Sequence, residues 1–202
     1  MKYQVIKAGE LGTNSVIVWD GNGAVVFDPV GDSSEWIEFF ENFEVPIKAI
    51  YITHGHYDHI EAVEDLRSHF NVPWYIHADD MELVRHANHF GNVIKIPSNP
   101  SYYKEGDWDF TSSIKGQIFH TAGHSQGSCL FYFPNANLLI TGDTLFKGTI
   151  GATHFPFSSP DDMEKSLKKI KALNIPEDAV IVPGHGDLTT FGEELESNYY
   201  LK

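Results

Sequence analysis

The sequence has little cysteine and no long apolar run. Its one cysteine, Cys129, rules out a disulfide within the chain and fits a reducing cytoplasm, where we expect the protein to reside. Cys129 lies in the apolar run 128–133, which favours a buried thiol over a nucleophile. No apolar run approaches the roughly 20 residues that a membrane-spanning helix needs, and the N-terminal residues lack the apolar stretch of a signal peptide. We therefore expect no membrane partner.

Positive charge is also scarce. The chain has 14 lysines and arginines against 28 aspartates and glutamates, which gives a net charge of -14 at pH 7. Nucleic-acid backbones are bound by clustered lysine and arginine, so this balance argues against a nucleic-acid partner. One basic cluster alternates with apolar residues on a predicted helix, and a solvated helix face accounts for it: Lys165, Lys168, Lys169 and Lys171.

The length and the pattern of apolar residues indicate the fold class. At 202 residues the chain is long enough to bury a core, and we expect one domain, residues 1–202. Strands are predicted near 2–6, 15–19, 24–28, 47–52, 74–77, 93–96, 114–120, 128–133, 137–141 and 179–182. Helices are predicted near 33–43, 59–70, 79–86, 160–173 and 191–197. Because these strands cannot all be parallel, we expect an α/β fold with two sheets packed face to face and helices outside.

One segment is unusually rich in metal-binding side chains. Three imidazoles and a carboxylate follow the apolar run 47–52 in the pattern H-x-H-x-D-H: His54, His56, Asp58 and His59. Imidazole suits zinc, iron and similar divalent ions, and a carboxylate adds negative charge at the same site. This spacing therefore predicts a metal site where a strand ends.

Three more predicted strands end in a glycine followed by a histidine or an aspartate: His124, Asp143 and His185. Loops after strand ends are where α/β scaffolds gather catalytic groups, and glycine allows the backbone to approach closely. Four strands that offer ligands at the same end predict a single shared centre.

These motifs together resemble the metallo-β-lactamase-fold hydrolases, and within them the short, single-domain glyoxalase II-like branch (hydroxyacylglutathione hydrolases). The resemblance covers nearly the whole chain and rests on five segments: 28–29, 54–59, 121–124, 142–146 and 183–186. It implies a four-layer αββα sandwich with the metal site at one edge of the two sheets.

The resemblance also implies a dinuclear centre that holds two divalent ions, zinc or alternatively iron or manganese. The first ion would be held by His54, His56 and His124, and the second by Asp58, His59 and His185. Asp143 would bridge the two ions, so Asp58 and Asp143 are the predicted catalytic carboxylates. Asp28 either orients a metal-bound imidazole or is a turn residue before Pro29.

The activity that the resemblance implies is hydrolysis of a small-molecule thioester, such as S-D-lactoylglutathione, by a hydroxide between the two metals. A mononuclear-iron persulfide dioxygenase, which would use His54, His124 and Asp143, is an alternative, as is a lactonase or another ester hydrolase. β-Lactamases that place a cysteine among the second-site ligands are disfavoured, because Cys129 lies outside the motifs.

Residues 151–155 depart from the family pattern. The relatives read Gly-Arg-Thr-Asp-Phe there, whereas this chain has Ala152 and His154 in place of the arginine and the aspartate. An arginine fork binds carboxylates, so we expect glutathione recognition to be weaker or different. His154 is either a polar contact or proton carrier near the cleft, or an exposed loop histidine.

The family resemblance places the substrate-binding residues in loops or in a second subunit. Full-length glyoxalase II enzymes bind glutathione largely through a C-terminal helical domain, which we expect to be absent here. The substrate would then be held by loops such as 97–108, with Tyr102 and Tyr103, or by the second subunit of a homodimer. The alternative role of these aromatic residues, which are as often anchors as substrate contacts in such loops, is to hold the loop onto the core.

Overall fold

Two mixed β-sheets form the centre of the fold. A computed structural model describes residues 1–90 and 93–202, except the side chains of His89 and Phe90. The strands are, in chain order, β1 (Lys2–Ala8), β2 (Thr13–Asp20), β3 (Gly23–Phe27), β4 (Ile47–Tyr51), β5 (Trp74–Ile76), β6 (Ser101–Tyr102), β7 (Gly106–Asp109), β8 (Lys115–His120), β9 (Cys129–Phe133), β10 (Leu138–Gly142), β11 (Leu145–Phe146), β12 (Thr149–Ile150), β13 (Val180–Pro183) and β14 (Thr189–Thr190). The first sheet has the order β1-β2-β3-β4-β5-β6, and the second has the order β14-β13-β10-β9-β8-β7.

Both sheets combine antiparallel and parallel pairs. The first begins with the antiparallel strands β1, β2 and β3 and continues in parallel from β3 to β6. In the second, β13 is parallel to β10, and the other neighbours are antiparallel. Parallel neighbours need crossover connections, which contain the helices α1 (Ser33–Glu41), α2 (Val63–Phe70), α3 (Met81–Arg85) and α4 (Pro160–Lys171); α5 (Phe191–Ser197) follows β14.

Apolar side chains form three layers, one between the sheets and one between each sheet and its helices. Side chains along a strand alternate between the two faces of the sheet. In β3, Phe27 belongs to the layer between the sheets, whereas Val26 packs with residues of α1 and α2. In β9, Phe131 belongs to the middle layer and Leu130 packs with residues of α4. The result is a four-layer αββα sandwich, which confirms the predicted fold.

Helix α4 illustrates how the outer layers form. The hydroxyl of Ser159 accepts a hydrogen bond from the first turn, and Pro160 occupies the first helical position. Met163, Leu167 and Ile170 recur on one face and are buried against the second sheet. The basic cluster of this helix pairs with nearby acids, as in Lys168 with Glu164, so it forms a solvated face. Among the described helices, none is long and apolar enough to cross a bilayer.

Three local predictions were wrong. Residues 93–96 form no strand, whereas β6 and most of β7 lie within the segment 97–108 that was predicted as a loop. These short strands pair with β5 and β8, which are distant in sequence, so pairing overrides the loop-like composition. The predicted helix 59–70 is also divided, because a 3-10 turn at Tyr57–His59 precedes α2. That turn places the side chain of His59 in the interior.

An aromatic cluster fills the middle layer and should dominate the stability of the fold. The ring centroid of Phe133 lies 4.7 Å from that of Phe110 and 5.7 Å from that of Phe27. We expect Phe133→Ala to lower the free energy of unfolding by about 3–5 kcal/mol, because it removes a fully buried ring from a close-packed layer. Urea denaturation at a fixed metal content measures this change. The matched control is Tyr199→Ala at a ring that is 78% exposed; equal losses from both variants would contradict the proposed role of the cluster.

Candidate metal centre

The structure brings together all seven residues that were predicted as metal ligands. They follow β4, β8, β10 and β13, whose ends meet at one edge of the two sheets. The candidate ligand atoms within each group lie within 4.8 Å of one another, and the groups are His54 with His56 and His124, His54 with His59 and Asp143, and Asp58 with His59 and His185.

Asp143 lies between the groups. Its Oδ1 is 3.4 Å from Nε2 of His59, and its Oδ2 is 3.5 Å from Nε2 of His124 and 3.6 Å from Nε2 of His185. Its carboxylate therefore faces ligands of both predicted ions at once. A side chain at Gly184 would overlap this carboxylate, so the glycine before His185 is required by the close approach.

Hydrogen bonds fix the orientation of two imidazoles through Asp28. The carboxylate of Asp28 accepts hydrogen bonds from Nδ1 of His59 at 2.9 Å and from the backbone N–H and the hydroxyl of Thr53, each at 2.7 Å. The Thr53 hydroxyl is in turn 3.1 Å from Nδ1 of His54. Both rings thus turn Nε2 towards the centre. These contacts are the ones expected of a residue that orients an imidazole, and they hold Asp28 at a left-handed φ of 48°.

Backbone carbonyls orient two further imidazoles. Nδ1 of His124 lies 2.8 Å from the carbonyl oxygen of Ala152, and Nδ1 of His185 lies 3.2 Å from that of Leu11. Neither contact could be predicted from the sequence, since every residue carries a carbonyl. Ala152 therefore orients His124 through its backbone carbonyl. It stands at the position where the family pattern has an arginine side chain.

Asp80 was missed by the sequence analysis and joins two of the ligand-bearing loops. It is fully buried, and its carboxylate accepts hydrogen bonds from Gly55 N at 2.8 Å and from Gly127 N and the Ser125 hydroxyl, each at 2.6 Å. Burial raises the pKa of Asp80, although these three donors oppose the rise. Gly55 separates His54 from His56, so Asp80 holds that segment against the loop of His124. Its position just after β5 is the one sequence signal that could have identified it.

The charge states of the centre suit a divalent cation. Burial lowers the pKa of His54 well below its usual value and that of His56 to about 4, so both rings are neutral at pH 7. Burial acts to raise the pKa of Asp58, but the hydrogen bond to His185 and the neighbouring imidazoles outweigh it and hold the pKa below its usual range. For His59, burial acts to lower the pKa, but the carboxylates of Asp28 and Asp143 raise it.

Buried atoms without a hydrogen-bond partner test whether the residues fit a metal. Among the described residues, these atoms are Nε2 of His54, Nε2 of His59 and Oδ1 of Asp143. Leaving such atoms unsatisfied is costly, and native proteins rarely do so without a reason. All three point into the group of candidate ligands, and a cation there would satisfy them and replace the proton of His59. The residues therefore fit two divalent ions.

A cleft of about 370 Å³ opens above the centre. Its floor is formed by ionisable side chains: His56, Asp58, His124, Asp143 and His185. Its walls are formed by less polar ones: Leu11, Tyr57, Leu83, Phe155 and Pro156. The sequence analysis did not identify these wall residues, because an apolar residue in a loop has no distinguishing pattern.

The predicted substrate contacts lie outside this cleft. Among the described residues that line it, none belongs to the segment 97–108. Tyr103 is 1% exposed, and its hydroxyl donates to the carbonyl of Ile52 at 2.7 Å, so of the two predicted roles it has that of an anchor onto the core. Tyr102 is exposed on β6. His154 is exposed and packs against Phe155 with ring centroids 4.5 Å apart, and Phe155 is the residue that reaches the cleft.

A further group of possible ligands lies outside the centre. Nδ1 of His77 is 3.6 Å from the carboxylate of Asp79, and His77 stacks on His120 with centroids 4.1 Å apart and planes at 16°. Nε2 of His120 is 2.8 Å from the carbonyl of Gln126. Imidazole lone pairs lie in the ring plane, so stacked rings do not aim them at one ion. This arrangement is that of a packing contact.

Comparison with known proteins agrees with this arrangement. Residues 8–185 match the family described as the metallo-beta-lactamase superfamily. The hydroxyacylglutathione hydrolase GloC of Haemophilus influenzae is 31% identical over 209 residues, which cover 100% of this chain and 98% of that protein. The solved structure of TTHA1623 in a di-iron-bound form has a TM-score of 0.89 at 32% identity and covers 98% of this chain and 100% of its own. That of the BLEG-1 B3 metallo-beta-lactamase has a TM-score of 0.88 at 30% identity and covers 99% of both chains. The chain belongs to the metallo-β-lactamase superfamily.

Proposed function

We propose that this chain is a thioester hydrolase with a dinuclear metal centre. The observation that carries the proposal is the position of Asp143 between two complete groups of ligands on the floor of an open cleft. A mononuclear dioxygenase would use His54, His124 and Asp143 and would leave Asp58 and His185 without a role. The full set of seven side chains therefore favours hydrolysis over oxidation.

Two divalent ions at this centre would supply Lewis acidity and a water whose pKa is lowered to near 7. The protein contributes the arrangement of the ligands. Asp28 and the carbonyls of Ala152 and Leu11 hold the imidazoles in the tautomers that leave one nitrogen free for an ion. Asp58 and Asp143 have lowered pKa values and stay ionised, so they offset the positive charge of the centre.

The chemistry of the leaving group supports a thioester in particular. The cleft floor offers carboxylates with lowered pKa values, and these are poor proton donors at neutral pH. Against the effect of burial, the carboxylates of Asp58 and Asp143 raise the pKa of His185 on the same floor, but as a ligand to an ion its Nε2 would carry no proton. A thiolate leaves without prior protonation, because thiols have a pKa of about 8.5. The one thiol of the chain is no rival nucleophile, since Cys129 is 1% exposed and burial raises its pKa.

The activity is tested by thiol release from S-D-lactoylglutathione with metal-loaded protein and with a chelated sample as blank. We expect release that depends on metal. Oxygen uptake with glutathione persulfide in the absence of thioester cleavage would instead identify a dioxygenase. A chromogenic β-lactam belongs in the same panel, because BLEG-1 is named a B3 metallo-beta-lactamase; cleavage of that compound alone would also overturn the proposal.

The bridging position of Asp143 leads to a second prediction. We expect Asp143→Ala to lower kcat/KM at least about a thousandfold and to reduce the metal content from two ions per chain to one or fewer, because both ions would share this ligand. Mass spectrometry of the metals and the thioester assay measure the two effects. The matched control is Asp187→Ala in the exposed loop after His185, which should retain both ions and activity. Full activity of Asp143→Ala with one ion lost would contradict the dinuclear mechanism.

The buried carboxylate of Asp80 leads to a third prediction. The backbone N–H groups of Gly55 and Gly127 each donate to a carboxylate oxygen of Asp80. Asp80→Asn replaces one of these oxygens by an NH2 group, which cannot accept, so one of the two hydrogen bonds should be lost. We expect metal affinity to fall by about 10–100-fold, as is typical when a residue that positions a ligand is changed. Competition with a chromophoric chelator measures this affinity without an activity assay. Asp79→Asn, at the exposed neighbour, is the control. Equal metal affinities in the two variants would contradict the proposed role of Asp80 in positioning the ligands.

A further inference from the structure

The walls of the cleft carry apolar side chains on both sides of the centre. On one side, Leu11 adjoins the second group of ligands through the contact of its carbonyl with His185. On the other side, the ring of Phe155 lies 6.1 Å from that of His56 and 6.2 Å from that of His124, centroid to centroid. Any carbonyl that reaches the floor therefore has apolar surface next to each of its two substituents.

Two of these wall residues are unusually exposed. Leu11 is 56% exposed and Phe155 is 45% exposed, whereas Leu83 between the floor and the rim is buried. Large apolar side chains gathered around a concave opening mark a surface that binds something apolar. The volume of about 370 Å³ lies within the range of pockets that bind small organic molecules.

The cleft also lacks positive side chains. Among the described residues that line it, none is lysine or arginine. Arg85, two positions after Leu83 on α3, is paired with Glu82 at 2.9 Å. The neighbour of Leu11 along the chain is the acidic Glu10, and the whole chain has a net charge of -14. A ligand carboxylate placed against these walls would lose water without gaining a cationic partner, which is costly.

We infer that the cleft selects acyl substrates whose groups on both sides of the scissile carbonyl are apolar and uncharged, and that it discriminates against the carboxylates of glutathione. This inference rests on the proposed hydrolase function. It names the substrate class of the same site: thioesters of short or medium acyl chains with an uncharged thiol. The discrimination comes from Leu11, Leu83 and Phe155 in the walls, and from the lack of lysine and arginine among the described residues that line the cleft.

The test compares matched thioesters that share a hexanoyl group and differ only in the thiol, which is either glutathione or the uncharged N-acetylcysteamine. We expect metal-loaded protein to show at least a tenfold higher kcat/KM for the uncharged thioester, and a kcat/KM that rises from acetyl to hexanoyl. A preference for the glutathione thioester would overturn the inference while leaving the hydrolase function intact. No metal-dependent cleavage of any thioester would overturn the proposed function itself.

Two variants test the walls directly. Leu11→Arg adds a cation at an exposed turn position, so we expect it to raise the ratio of glutathione to N-acetylcysteamine thioester cleavage by at least fivefold. Phe155→Ser removes apolar surface, so we expect it to lower the ratio of hexanoyl to acetyl cleavage by at least fivefold. Tyr199→Ser, at an exposed ring that does not line the cleft, is the control and should change neither ratio. Unchanged ratios in both wall variants would refute the assignment.

Discussion

The clustering of seven ionisable side chains at one edge of the sandwich, four of them buried, is the constraint on which the rest of the structure depends. Carboxylates and imidazoles removed from water need partners, and isolated charges in a protein interior are costly. Asp28 and two backbone carbonyls form hydrogen bonds with the imidazoles from outside the group. Asp80 holds the backbone between two of those imidazoles. The three atoms that these contacts leave unsatisfied all face the middle of the group. The apolar layers provide a scaffold stiff enough to hold this arrangement.

Much of the fold and most of the centre were predictable, because both depend on periodic or dense local patterns. Apolar strands that end in a glycine and a ligand residue indicated His124, Asp143 and His185, and the H-x-H-x-D-H motif indicated the other four ligands. What was missed depends on contacts between distant segments. The strand β6 forms only because β5 lies beside it, and Phe155 reaches the cleft only because its loop folds back over His124. The residue pattern of neither segment predicts the distant segment that it contacts.

The residues that decide specificity are separate from those that decide chemistry. The proposed ligands lie on the floor of the cleft, whereas the walls are formed by other side chains, and Ala152 contacts His124 only through its carbonyl. A side chain at position 152 is free to change because the carbonyl, and not the side chain, orients His124. Divergence in substrate choice can therefore proceed without disturbing the chemistry, which agrees with the view that function resides in sites placed on a shared fold.

The distribution of the ligands along the chain has a consequence for the order of assembly. His54 to His59 lie close together in sequence, but His124, Asp143 and His185 arrive from the other sheet. Loop closure over such separations is entropically expensive and is compensated only when the two sheets dock. An ion captured early by the histidine segment would thus find only two of the four side chains proposed for it. The full set of ligands can come together only after the two sheets have docked, so the apolar layers between and outside the sheets must form before the centre is complete.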